Sequence, residues 1–315
     1  MNPMRLHAPA CFRCPRPAAT ALAALLTGGL TALAQPGGGR PETAYEATAV
    51  LLHQFEADLD AGGALAISSG QFRLGTSLPL DRRSQVGFEV GYGFDHYDFT
   101  LGGEESWRAR APWKDIHRVE LGVSYFRALE NGWRVFVSPT IEAAGESALD
   151  RDALTYALVA GGSTEVSENL QLGLGFVVAT GLEDTTAFPF ISIRWEFAEN
   201  WTLQNPFRPG PTGPAGLEVA YAGEDWSVAA GGAYRTWRFR IDGTGATRDG
   251  IADYEGASVF VRYTWQMSEL FALDLYGGAF VGAELEIEDA NGHDLGLRTD
   301  VSTAPFLALT VSSRF

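Results

Sequence analysis

Three things are scarce in this chain. It has two cysteines, Cys11 and Cys14, both near the N-terminus, so no disulfide framework can hold the rest together. Lysine is nearly absent: Lys114 is the single lysine among 23 basic residues. With 39 acidic residues the formal charge is −16, and such a balance excludes the basic face that nucleic acid requires. Long apolar runs are scarce too. A helical membrane protein needs several stretches of about 20 apolar residues, and only Ala18–Ala34 approaches that. The mean hydropathy of −0.03 is that of a water-soluble protein.

That one run follows a basic segment carrying Arg5, Arg13 and Arg16 and ends Ala32-Leu33-Ala34. Basic region, short apolar region and a small-residue site predict a secretory signal peptide over 1–34, cleaved after Ala34. Residues 35–44 read as a Gly/Pro linker. Cleavage removes both cysteines and makes the remainder more acidic, since 1–34 contains arginines but no Asp or Glu.

From 45 to 315 the chain alternates with period two. In Val119–Phe126, Val119, Leu121, Val123 and Tyr125 oppose Arg118, Glu120, Gly122 and Ser124. Val86, Phe88, Val90 and Tyr92 oppose Glu89, Gly91 and Gly93; Val259, Val261, Tyr263 and Trp265 oppose Ser258, Arg262 and Thr264. Alternation of this kind is a strand signature. The segments run longer than the strands of soluble sheets, and their polar faces suit a lumen. Short Asn/Asp/Gly breaks recur with an aromatic just behind them, at Trp133, Trp201 and Trp226; Trp265 and Phe315 end strands on the same side. These five are the expected membrane-interface aromatics. The connections at the other end are long and acidic: 100–114, 146–153, 205–215, 241–253 and 286–301.

The prediction is an all-β protein: a closed antiparallel transmembrane β-barrel of 12–14 strands. Fourteen strands can be counted, and the uncertain pair, 201–205 and 216–222, flanks Pro206, Pro211 and Pro214. Proline gives no ladder hydrogen bond, so this hairpin is expected to be short or folded inward, and folding inward would leave twelve.

The run Asn205-Pro206-Phe207-Arg208-Pro209-Gly210-Pro211-Thr212-Gly213-Pro214-Ala215-Gly216-Leu217-Glu218, with Val219-Ala220-Tyr221 and Trp237-Arg238-Phe239-Arg240, resembles a bacterial outer-membrane barrel family known only as a domain of unknown function. The resemblance implies a barrel in the outer membrane and supplies no chemistry.

Ten charged residues fall on the polar faces as lumen-lining candidates: Arg73, Glu89, Arg118, Glu120, Arg134, Glu142, Arg194, Glu196, Arg262 and Asp274. They could form a selective constriction or an ion-pair network filling the lumen. Enzymatic chemistry is not expected. No His-x-Ser occurs on a strand, and only His96, with Asp98 two residues on, has an acid on its face; it reads as a rim histidine among loop acids. Asp289-Ala290-Asn291-Gly292-His293-Asp294 faintly resembles a calcium loop but reads as a turn, and no metal or cofactor is expected. The expected function is a porin-like passive channel for small hydrophilic solutes. A structural or surface-interaction barrel with a closed lumen is the alternative. The expected partners are outer-membrane lipid and lipopolysaccharide, together with a barrel-insertion machinery implied by the strand ending at Phe315.

Overall fold

A computed structural model describes residues 43–315 except 103–112, 148–150, 207–209, 212, 214 and 244–246. The signal peptide and most of the linker lie outside the described residues. Among the described residues fifteen strands make up the fold, with a 3-10 turn at Arg151–Ala153. They are β1 (Ala44–Asp58), β2 (Gly63–Pro79), β3 (Ser84–Leu101), β4 (Asp115–Ala128), β5 (Arg134–Gly145), β6 (Leu154–Ser167), β7 (Leu170–Gly181) and β8 (Asp184–Ala198). The second half holds β9 (Trp201–Gln204), β10 (Ala215–Ala222), β11 (Trp226–Arg240), β12 (Ile251–Gln266), β13 (Phe271–Glu288), β14 (Asp294–Val301) and β15 (Ala304–Arg314).

Each strand pairs antiparallel with the next in sequence from β1 to β13, and β15 pairs with both β13 and β1, so the sheet closes on itself. The seam joins the two ends of the barrel: Glu46 lies opposite Arg314, and Tyr45 and Phe315 exchange backbone hydrogen bonds at 3.0 and 2.9 Å. β14 and β15 are two parts of one stave. Both run beside β13, β14 against Ala283–Glu288 and β15 against Phe271–Phe280, with Ser302 and Thr303 as the break between them. The barrel therefore has fourteen staves.

The weak hairpin stays in the wall. β9 and β10 pair with each other and with β8 and β11, although β9 has only 4 residues. What folds inward is their connection. Where β9 ends, the Asn205 side chain replaces the missing ladder: its Oδ1 accepts the Ile193 N–H at 2.7 Å and its Nδ2 donates to the Gly216 carbonyl at 2.9 Å. Pro206, next in line, has no N–H to give.

The acidic stretch 286–301, expected as a loop, is mostly strand. β13 continues to Glu288 and β14 begins at Asp294, with a tight turn between. The misreading has a physical cause. Glu284, Glu286 and Glu288 alternate with buried Ala283, Leu285 and Ile287, which is strand alternation with its polarity reversed. Likewise β12 starts at Ile251, inside the connection expected over 241–253. In the turn, Asp289 accepts the N–H groups of Asn291 and His293 at 2.8 and 2.9 Å. The His293 hydrogen bond holds the Asp289 carboxyl below the usual range, so the calcium-like sequence spends its carboxylate on its own backbone.

Along the lower wall, near the short turns, the apolar residues point outward: Leu51, Phe72, Leu121, Leu174, Ile191, Val261, Leu275 and Leu307 are all exposed. So broad an apolar surface is foreign to a water-soluble monomer. Because the sheet closes on itself, its backbone is paired along the ladders and this surface can face hydrocarbon. Trp133, Trp201, Trp226, Trp265 and Phe315 are exposed at the short-turn end. Some of them belong to a chain of rings, Trp195–Phe197–Trp201–Tyr221–Trp226, with successive centroids 5.7, 6.3, 5.1 and 5.8 Å apart.

Leu121 lies mid-strand on this surface, so Leu121→Arg is expected to cost about 2–4 kcal/mol. Urea unfolding in lipid vesicles, followed by the shift in gel mobility between unboiled and boiled protein, measures it.

Candidate functional site

The sequence points to ten charged residues on the polar faces of the strands, of which Arg118, Glu120, Glu142, Arg262 and Asp274 are buried and Glu196 is exposed. Nine of the ten fall into two arcs on different parts of the wall. In the first, Arg73 on β2 lies 3.0 Å from Glu120 on β4 and 3.6 Å from Glu89 on β3. Arg118 on β4 pairs with Glu142 on β5 and approaches Asp95 on β3 at 4.0 Å.

In the second arc, Arg262 on β12 meets Glu218 on β10 at 2.6 Å and Asp274 on β13 at 3.6 Å. Thr264 bridges Arg262 to Asp274. Gln204 donates to Glu218 at 2.8 Å and accepts from Arg194 at 2.8 Å, and Arg194 pairs with Glu196 at 3.1 Å. Arg134 stands apart from both arcs, pairing with the exposed Glu165 near the short turns at 3.1 Å. Buried ionic groups must be paired to be tolerated, and in these arcs an arginine on one strand meets carboxylates on its neighbours.

Asp95 and Glu218 belong to these arcs yet were not among the candidates. Asp95 follows Glu89, Gly91 and Gly93 on the inward face of β3, so periodicity alone could have placed it. Glu218 alternates with Leu217, Val219 and Tyr221 on β10, so the same periodicity could have placed it.

Below the arcs a cavity of about 400 Å³ opens toward the short-turn end, with Glu46, Glu89, Asp274, Thr140 and Thr310 in its lining. Above them the lumen is stopped in two ways. The β9–β10 connection enters from the side: Gly210 sits close against Tyr276 of β13 and Thr310 of β15, and its carbonyl accepts from Arg235 at 3.2 Å. Arg235, buried on β11, stacks over Trp237 at 4.2 Å, a cation–π contact.

The second stop is the upper β11–β12 hairpin, which leans across the mouth. Phe239 packs against Tyr97 of β3 and against Trp113 at 5.4 and 5.5 Å between ring centroids. Its neighbour Arg240 bridges to Gly145 of β5, far round the barrel, and donates to the Asp152 carbonyl at 2.7 Å. A side chain at Gly145 would meet the Arg240 carbonyl at 2.9 Å, so this crossing requires glycine. Arg238 pairs with Asp253 at 3.3 Å and Glu288 at 2.5 Å and donates to the Leu182 carbonyl at 3.0 Å. Glu146 accepts the Asp242 N–H at 2.6 Å, while burial pushes its carboxyl above the usual range.

Beneath this crossing lies a core like that of a soluble protein: Leu65, Ile116, Phe239, Tyr254, Leu285 and Ile287 are each 1% exposed or less. The sequence reading missed Arg235, Arg238 and Arg240 as functional residues, although Trp237-Arg238-Phe239-Arg240 carried a signal. On β11 the apolar residues face outward from Trp226 to Tyr234 and inward at Trp237 and Phe239.

A protein-family model matches residues 103–291, more than half of the chain. The chain belongs to DUF6268, a family described as a domain of unknown function. The matched span runs past the β3–β4 connection to the β13–β14 turn and contains both the inward segment and the crossing hairpin. No curated protein matches the sequence. Solved structures with a similar chain path include the COG4313 outer membrane channel from Pseudomonas putida F1, at 13% identity and TM-score 0.47, covering 89% of this chain and 99% of that one. The toluene transporter TodX of P. putida is similar at 10% identity and TM-score 0.45, covering 93% and 94%. A FadL homologue of Pseudomonas aeruginosa is similar at 11% identity and TM-score 0.40, covering 86% and 89%. These are likenesses of path, and their cargoes are their own.

Among the described residues of this DUF6268 chain, no cluster of three or more His, Asp or Glu is arranged to hold a metal ion. Removing one charge from the first arc strands its partners in the lumen. Arg118→Met is expected to destabilise the barrel by about 3–5 kcal/mol, and the double replacement Arg118→Met with Glu142→Met by markedly less. Equilibrium unfolding of the two variants and the parent checks this.

Proposed function

We propose that this DUF6268 chain is a bacterial outer-membrane channel for small hydrophilic solutes, held shut in the conformation described. The observation that carries the reading is the kind of stopper it has. An eight-stranded barrel fills with its own side chains and sixteen or more strands leave a channel. Here fourteen staves enclose a polar wall and a polar cavity, and the β9–β10 connection reaches in at Gly210 to close them. A barrel meant only as a solid peg would need no such segment.

Export by the N-terminal basic–apolar segment, with cleavage after Ala34, would deliver the chain to the outer membrane. The strand ending at Phe315 would present itself to the insertion machinery. Outer-membrane lipid would bathe the apolar band. Lipopolysaccharide, bridged by divalent cations, would lie against acidic residues of the long-loop end such as Asp242, Asp249 and Glu183. Each charged arc holds more carboxylates than arginines, which favours cations in the lumen.

The closed-lumen alternative draws on a different observation: the charges of the two arcs pair with one another across the wall. Planar-bilayer conductance separates the readings. The full-length protein is expected to be nearly silent, and replacing 206–214 by a short glycine linker is expected to open a steady conductance with mild cation preference. Silence of the shortened protein would favour the structural barrel. A reversal potential indicating anion selectivity would refute the charge argument.

A further inference from the structure

The outer surface of the barrel carries a polar row that neither the lumen nor the channel reading uses. His53 on β1 stands opposite Ser68 on β2, Ser68 opposite His96 on β3, and His96 opposite Asp115 on β4. All four point outward, and directly opposed residues have Cβ atoms about 4.5–5.5 Å apart. Ser68 Oγ lies 2.9 Å from His53 Nδ1, and His96 Nδ1 lies 2.6 Å from Asp115 Oδ1. The acid that His96 meets is therefore across the ladder, and Asp98 on its own strand is not its partner. A hydroxyl hydrogen-bonded to one imidazole supplies a nucleophile and its base, and a second imidazole, held by a carboxylate, stands on the next strand.

The position of the row says what it would act on. Just below it the outward face is apolar, with Leu51 on β1, Phe72 on β2 and Leu121 on β4. At this level the polarity of β3 reverses, from Tyr92 outward to Tyr97 inward. The row thus sits where hydrocarbon gives way to water, the depth at which a membrane lipid carries its ester bonds. An apolar groove of about 810 Å³ runs from His53 and Ser68 along Leu51, Leu307, Leu309, Leu275 and Tyr263. Gly277 lies in its floor, where a Cβ would reach Leu307 at 3.7 Å. Because the groove is part of the lipid-facing surface, its occupant is an acyl chain.

We propose that Ser68, His53, His96 and Asp115 form an esterase site that removes an acyl chain from a membrane lipid at the outer face of the barrel. Ser68 Oγ bonds to the ester carbonyl carbon as its proton passes to His53. His96, protonated on both nitrogens with Nδ1–H given to Asp115, donates Nε2–H to the developing oxyanion; Asp115 is a positioning residue. Collapse breaks the bond to the lipid alcohol, which leaves with the proton from His53. Water then attacks the acyl-serine, giving its proton to His53, and the free fatty acid departs as Ser68 recovers its hydroxyl. The site is independent of whether the lumen conducts.

The test uses the folded full chain in mixed micelles of detergent and long-chain phosphatidylethanolamine, with fatty-acid release as one readout. Covalent labelling by a fluorophosphonate, located by mass spectrometry, is the other. Expected results are release by the parent protein, label on Ser68, and loss of both in Ser68→Ala. His53→Ala should lower the rate about 100-fold or more, Asp115→Asn should lower kcat with KM little changed, and Gly277→Leu should shift preference to shorter chains. Each variant replaces an exposed or groove residue, and a retained mobility shift between unboiled and boiled samples verifies its fold. No release and no label from correctly folded parent protein would overturn the proposal. So would activity that survives Ser68→Ala, or rates indifferent to both His53→Ala and His96→Ala.

Discussion

Backbone hydrogen bonding without an edge is the constraint on which everything else rests. A sheet in hydrocarbon cannot leave a strand unpaired, because each bare N–H or C=O would go unsatisfied. Here the constraint is met by pairing β1 with β15, so that Glu46 faces Arg314 and the two ends of the barrel domain become neighbours. Closure then dictates the rest of the wall. Side chains alternate between lipid and lumen, charges can survive only on the inner face, and they survive there by pairing across strands.

The one place where the wall economises is β9–β10. Its staves are too short to reach the full height, and three devices compensate. The Asn205 amide ends the ladder, the following segment turns into the lumen, and the β11–β12 hairpin leans over to β5 and the β7–β8 turn. A shortfall in one hairpin therefore accounts for both stoppers of the lumen. The prolines responsible were visible in the sequence; the distance spanned by Arg240 was not.

Alternation made the staves legible, and most of their limits as well. It also assigned the ten charged candidates to a face, because parity alone decides the face. What parity cannot give is register between strands. Arg118 could be assigned inward, but its meeting with Glu142 depends on how β4 slides against β5. The same ignorance hid the row on the outer wall: searching within a strand for His-x-Ser finds nothing, whereas His53, Ser68, His96 and Asp115 become neighbours only once three ladders are aligned. The stretch 286–301 misled for another reason. Its charges suggested a solvated loop, and the apolar partners between them, Leu285 and Ile287, turn inward to the core beneath the crossing hairpin.

That reversal of polarity gives the barrel a waterline. Below it, lifting the protein would expose leucines and phenylalanines to water; above it, sinking the protein would drag Glu284, Glu286 and Asp300 toward hydrocarbon. Both displacements are uphill, so the depth at which the barrel floats is set by its own side chains. Tilt is restrained by the same means, since a reversal carried by β3, β11, β12 and β13 resists rocking about more than one axis. A protein without disulfides in its barrel, and with a single lysine, is thereby moored in two directions by the order in which polar and apolar residues exchange places along its strands.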